Sequence, residues 1–233
     1  MLATAYSRLY ALQRDREDFH GAEKSHTLRM KARLRRIASR NCPDHSFKCA
    51  RCVKLAQEWY AGKGDPIEVI TAQSINALWL EQEKQMRHER LAIEKQMIEI
   101  AKESPLAPFV ERTRGFGYLG LALILAEAGD LRNYDNPAKL WKRFGLAVFD
   151  GKAQRRVTGE AAIEQGFSPK RRAVMFVIGD ALVKQGAEYR QVYLDRKAYE
   201  VERNPEIKPI AAHRRAQRFM EKRLLRELWK EAR

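Results

Sequence analysis

Apolar residues recur at three- and four-residue intervals along nearly the whole chain, and runs of alternating β-branched residues are almost absent. That periodicity predicts an all-α fold. The hydrophobic share, 45% of 233 residues, suffices for one medium core or two small ones.

The first block, up to about Asn41, carries Leu9, Leu12, Leu28, Met30 and Leu34 among charges and reads as one or two amphipathic helices interrupted near Gly21. A Gly- and Pro-punctuated break, Ala61 to Pro66, then precedes a stretch from Ile67 to Ser104 that holds neither Pro nor Gly and is expected to form one long helix. Trp79, Met86, Ile93 and Ile100 fall at sevenfold spacing, with Ile75 and Met97 between, so this helix reads as a coiled coil whose seam Gln82 and Arg90 weaken. Two partners fit that seam: a second copy, giving a homo-oligomer, or the N-terminal helices of the same chain. Pro105 and Pro108 close the helix. The expected organisation is a basic helical region with a Cys/His cluster over 1–66, a coiled coil over 67–104 and a helical domain over 105–233.

Forty-five Lys and Arg against thirty Asp and Glu leave a formal charge of +15, which calls for a polyanionic partner. Residues 28–54 alone hold nine bases and one acid, Asp44, a face suited to phosphates or simply to water. DNA is the leading expectation and RNA the alternative. A membrane is not expected, because no apolar run approaches the roughly 20 residues needed to span one. The start, MLATAYSRLYALQRDRED, also breaks into charges too early for a signal peptide. The expected location is the cytoplasm of a bacterial host, in association with the nucleoid.

Around Gly115 and Gly117 a Gly-x-Gly turn separates two apolar-periodic segments, Phe109–Thr113 and Tyr118–Ala128, in the pattern of a helix-hairpin-helix. Glycines there allow positive φ and close approach, and free amides at the start of the second helix can donate to a phosphate oxygen. The competing explanation is a tight interhelix turn whose glycines serve packing alone. Arg112, Arg114 and Tyr118 flank the turn and join Gly115 and Gly117 as candidate DNA-binding residues. Lys142, Arg143, Lys152, Arg155, Arg156, Lys170, Arg171 and Arg172 extend the set, drawn from a stretch with nine bases against three acids. The C-terminal segment from Ala211 is a basic amphipathic helix whose stripe of Phe219, Leu224, Leu225, Leu228 and Trp229 suits docking onto the domain core.

Cys42, His45, Cys49 and Cys52 are four candidate ligands for a structural zinc, although the loop between the two pairs is tighter than in the usual finger. Three reduced cysteines around a turn at Pro43 are the alternative. Four protein ligands leave no open position, so no catalytic cofactor is expected.

From the hairpin onward, the order of features resembles the C-terminal domain of the bridge-RNA-guided DEDD insertion-sequence transposases. The likeness runs through Ala128-Gly129-Asp130, Asn136-Pro137-Ala138-Lys139-Leu140, Phe144-Gly145-Leu146-Ala147, and Gly166 to Arg172 before an apolar helix from Ala173 to Val183. The family also sets a coiled-coil helix before this domain. It further implies a RuvC-like domain with four magnesium-binding acids and a serine nucleophile. Neither is evident: the first 60 or so residues are too few and too helical for that domain, and Gly145 to Gly151 contains no serine. Thr158 and Ser168 are the nearest hydroxyls, and no His lies between His88 and His213 to activate one. The resemblance therefore implies a non-catalytic DNA-binding protein of a bacterium, phage or mobile element, acting in DNA recombination or transposition. The rivals are a recombinase or nuclease using Asp150, Glu160 or Glu164 with a metal or sharing a site with another protein, and an RNA-binding or adaptor protein.

Overall fold

A computed structural model describes residues 2–40, 42 and 49–233. Among the described residues eleven α-helices account for nearly all regular structure, so the fold is all-α. The chain divides into two compact units, one made of residues 14–95 and the other of residues 1–13 and 96–233. The breaks fall inside two long helices and not at the expected 66/67 and 104/105.

In the unit of residues 14–95, α1 (Leu2–Ser39) and α4 (Ala77–Lys102) run antiparallel. Arg16 donates to Glu94 at 2.8 Å, Arg87 and Arg90 to Glu23 at 3.0 and 2.8 Å, and Thr27 to Glu83 at 2.6 Å. The coiled-coil seam thus meets the N-terminal helix of its own chain. Arg90, an apparent flaw in the heptads, bridges Glu23 and Glu94 across it. Burial works against ionisation of Glu23, but hydrogen bonds from Arg90 and Arg87 prevail and hold its carboxyl below the usual range.

The expected single helix from Ile67 is two helices. α3 (Pro66–Ile75) begins with Pro66 at its first turn and Asp65 capping the Ile67 and Glu68 amides. It ends at buried Asn76, whose side-chain amide donates to the Ala72 carbonyl at 2.6 Å. A helix-continuing residue would leave that carbonyl to a backbone amide; asparagine offers a competing donor, and the chain bends there. The bend lets α3 pack on α2 (Ala50–Tyr60), closing a core of Met30, Leu34, Ala56, Trp59, Val69 and Ala72.

The second unit is built around α11 (Pro209–Glu231). Its Ala212, Ala216, Met220, Leu224, Leu225 and Leu228 are fully buried. Packed on it are α7 (Pro137–Arg143), α9 (Pro169–Gln185) and α10 (Ala187–Arg203). Gly179 of α9 permits a close approach, since a Cβ there would lie 2.5 Å from the Glu221 carboxylate. Trp141 donates to the Lys222 carbonyl at 3.0 Å and Trp229 to the Tyr134 carbonyl at 2.7 Å, pinning α7 and the 3-10 turn Leu131–Asn133 to the same helix. Two short strands, β1 (Val148–Phe149) and β2 (Lys152–Ala153), pair antiparallel across Asp150-Gly151. Both turn residues have positive φ, as a two-residue hairpin turn requires. α8 (Glu160–Gln165) follows.

Candidate nucleic-acid interface

The Gly-x-Gly turn joins α5 (Ala107–Arg112) to α6 (Tyr118–Ala128), a helical hairpin as its periodicity suggests. Its two glycines have different physical reasons. Gly115 has φ +85°, and a Cβ there would lie 2.8 Å from the backbone nitrogen of Gly186, at the junction of α9 and α10. Gly186 answers in kind: its own Cβ would meet the Leu182 carbonyl at 2.7 Å and that of Arg114 at 3.1 Å. This pair is backbone-to-backbone packing. Gly117 is extended, with φ −96° and ψ 168°, and a Cβ there would meet open space. It precedes α6, whose first amides receive no side-chain cap from it.

The flanking cations divide sharply. Arg112 is held by Glu231, and Tyr118 donates to Glu111 at 2.9 Å. Arg143 donates to the Glu127 carbonyl at 2.9 Å, while Arg171 pairs with the Glu127 carboxylate at 3.0 Å; Glu127 is 2% exposed. Arg172 forms an ion pair with fully buried Glu221 at 2.9 Å. These candidate side chains have partners within the fold. A carboxylate taken into the core requires a cation beside it, and spacing in the sequence does not reveal which arginine supplies it.

Among the described residues, Arg114, Lys142, Lys152, Arg155 and Arg156 are in no ion pair; Lys142 lies 5.8 Å from the centre of the Phe149 ring. Lys170 is exposed at the start of α9. The loop bearing Lys152, Arg155 and Arg156 is anchored by buried Gln154. Its amide donates to the Lys142 and Gln165 carbonyls, and its oxygen accepts from the Ala147 amide. Arg114 lines a cavity of about 400 Å³ with Lys184, Gly186 and Arg190, and no acid lines it among the described residues.

A basic groove left out of the site residues read from sequence lies on the other unit. Arg29, Arg33, Arg36 and Arg40 of α1 line about 530 Å³ with Trp79 and Ile75, and among the described residues no acid contributes. Arg33 sits 5.9 Å from the Trp79 ring centre. The signal was present as arginines at helical spacing within the basic run 28–54, but it required knowing which face α4 leaves uncovered.

The protein-family models, the curated proteins and the solved structures contain no match to this chain.

Cys42, Cys49 and Cys52 converge: their sulfurs lie within 4.8 Å of one another, with Cys42 and Cys49 3.6 Å apart. Three thiolates so placed can hold a metal ion, since ligands about 2.3 Å from a tetrahedral zinc stand about 3.8 Å from one another. The Cys49 thiol, which accepts a hydrogen bond from the Cys52 amide and another from Cys42, is shifted toward its thiolate form. His45 lies outside the described residues. No other group of three or more metal-ligating side chains converges among the described residues, so Asp150, Glu160 and Glu164 do not form one together. Asp150 occupies the β1–β2 turn, and the Ser168 hydroxyl caps α9 by accepting from the Arg171 amide. No described helix is long and apolar enough to cross a membrane.

Proposed function

We propose that the chain is a non-catalytic DNA-binding protein related to transposase C-terminal domains, acting in DNA recombination or transposition. The arginine groove of α1 carries the reading. Four guanidiniums along one helix, with Trp79 beside Arg33 and no acid among the described lining residues, form a cation track that a phosphate backbone fits. The hairpin supports it with a second acid-free surface at Arg114 and Arg190, and the loop adds Lys152, Arg155 and Arg156. Such contacts grip phosphates and read no base, so binding is expected to be indifferent to sequence.

The test is the affinity for a labelled duplex, by fluorescence anisotropy as salt is raised, with the Arg33→Gln/Arg36→Gln double variant beside the parent. Loss of two phosphate contacts is expected to flatten the log–log salt slope by about 2 and to leave folding unchanged. An unchanged slope would remove the groove from the interface.

Within this reading Cys42, Cys49 and Cys52 hold a structural zinc that ties the end of α1 to α2, with His45 the candidate from the sequence for a fourth ligand. The purified protein is expected to carry one zinc per chain by elemental analysis. Chelation should lower its melting temperature, and Cys49→Ser should abolish the metal content. Zinc-free protein with an unaltered melting curve would contradict the assignment.

A further inference from the structure

The most exposed large apolar residue of the α11 stripe does not dock. Phe219 is 43% exposed, although Leu224, Leu225 and Leu228 beside it are sealed in the core. It faces a cleft of about 540 Å³ between the β1–β2 turn and the α10–α11 hairpin. Val148, 56% exposed, lines the same cleft from β1.

The charged part of the lining is mostly cationic. Arg196, Arg203, Arg215, Arg218 and Lys222 contribute to it, against a single acid, Glu200. That acid is already shared: its carboxylate holds Arg196 and, at 3.1 Å, Arg215. One Arg218 nitrogen donates to the Gly145 carbonyl at 2.9 Å, and the Lys222 ammonium sits 5.2 Å from the Trp141 ring centre; among the described residues neither is in an ion pair with a carboxylate. Glu221, whose charge reaches Arg218, is itself committed to Arg172.

Half-buried cations side by side without carboxylates are costly unless an anion joins them. We infer that this cleft binds the phosphate group of a nucleotide unit, with Arg218 and Lys222 on the phosphate oxygens, Arg203 at the rim, and Phe219 and Val148 as the apolar wall for the attached base. Arg196 stacks between the Tyr199 and Phe219 rings, at 4.6 and 4.8 Å from their centres, and so fixes the orientation of that wall. Burial lowers both Arg218 and Lys222, and the neighbouring guanidinium adds to the effect at each, Arg172 for the first and Arg218 for the second. A bound phosphate relieves that repulsion. The site uses none of the residues assigned to duplex binding above and stands or falls apart from them.

The experiment is calorimetric titration of the full chain at low salt with four probes: adenosine monophosphate, adenosine, a short single strand carrying a 5′-phosphate, and the same strand with a 5′-hydroxyl. Each phosphorylated probe is compared with its unphosphorylated partner in the parent, in Lys222→Met, which keeps the packed stem, and in the exposed-site variant Arg203→Gln. At least a tenfold preference for the phosphate is expected in one pair or both, reduced about tenfold by each variant with an unaltered melting temperature. A preference confined to the mononucleotide assigns the site to free nucleotides, and one confined to the strand assigns it to strand ends. Equal binding within both pairs, or a preference that survives both substitutions, would overturn the proposal.

Discussion

Alanine at Gly115 is expected to destabilise the protein by about 3 kcal/mol, while alanine at Gly117, two residues away, costs less than about 0.5 kcal/mol. At Gly115 two penalties add. A non-glycine residue is strained at φ +85°, and its Cβ would be forced to within 2.8 Å of the Gly186 backbone, which no side-chain rearrangement can relieve. At Gly117 the backbone is one that any residue adopts, and the space is open. Urea unfolding of both variants measures the difference. Equal costs would mean that the turn and the α9–α10 junction are not interlocked. The pair also separates the two readings of Gly-x-Gly: Gly115 serves packing, and Gly117 is the position where bulk affects only what approaches α6.

Replacing Arg172 with methionine is expected to cost about 1–2 kcal/mol at pH 8, because fully buried Glu221 loses its cation and takes up a proton instead. Burial pushes the Glu221 carboxyl up to about 7, against the pull of Arg172, Arg218 and the Gln217 amide. The ion pair is a contact of charges more than a well-aligned hydrogen bond, which leaves desolvation dominant. The folded state therefore binds a proton more tightly than the unfolded chain does. Stability from this group is complete below about pH 4.5, the ordinary carboxyl value, and declines as pH rises through 7, by roughly 3 kcal/mol in all. Below pH 6 the methionine variant meets a mostly neutral carboxyl, and its cost should shrink. Glu221→Gln should flatten the pH profile of stability between pH 5 and 8 relative to the parent. A cost for Arg172→Met that is constant over that range would show that Glu221 does not titrate there in the fold.

The helical class was legible in the sequence because periodicity reports burial directly, and the Gly115 turn and the amphipathic α11 emerge where spacing puts them. Asn76 shows one limit. Its neighbours are good helix formers, and only the buried hydrogen bond to Ala72 reveals why the long helix stops and turns. The coiled-coil seam shows another: heptads specify a partner helix but not which chain supplies it, and the matched charges of α1 and α4 become meaningful only when Glu23 is seen between Arg87 and Arg90. The basic residues were the least legible. Lys170, Arg171 and Arg172 read as one cluster, yet Arg171 and Arg172 pair with Glu127 and Glu221, acids 44 and 49 residues away in sequence. Conversely, Arg203, Arg218 and Lys222 are scattered along the chain, and only the α10–α11 hairpin brings them to one cleft.

The salt dependence of the parent protein's affinity for duplex DNA decides whether it binds phosphates. If the α1 groove and the hairpin surface grip phosphates, the logarithm of affinity should fall against the logarithm of salt with a slope of about −4 or steeper, and equally for unrelated sequences. A shallow slope, or no measurable binding at about 50 mM salt, where phosphate contacts are strongest, would contradict that grip.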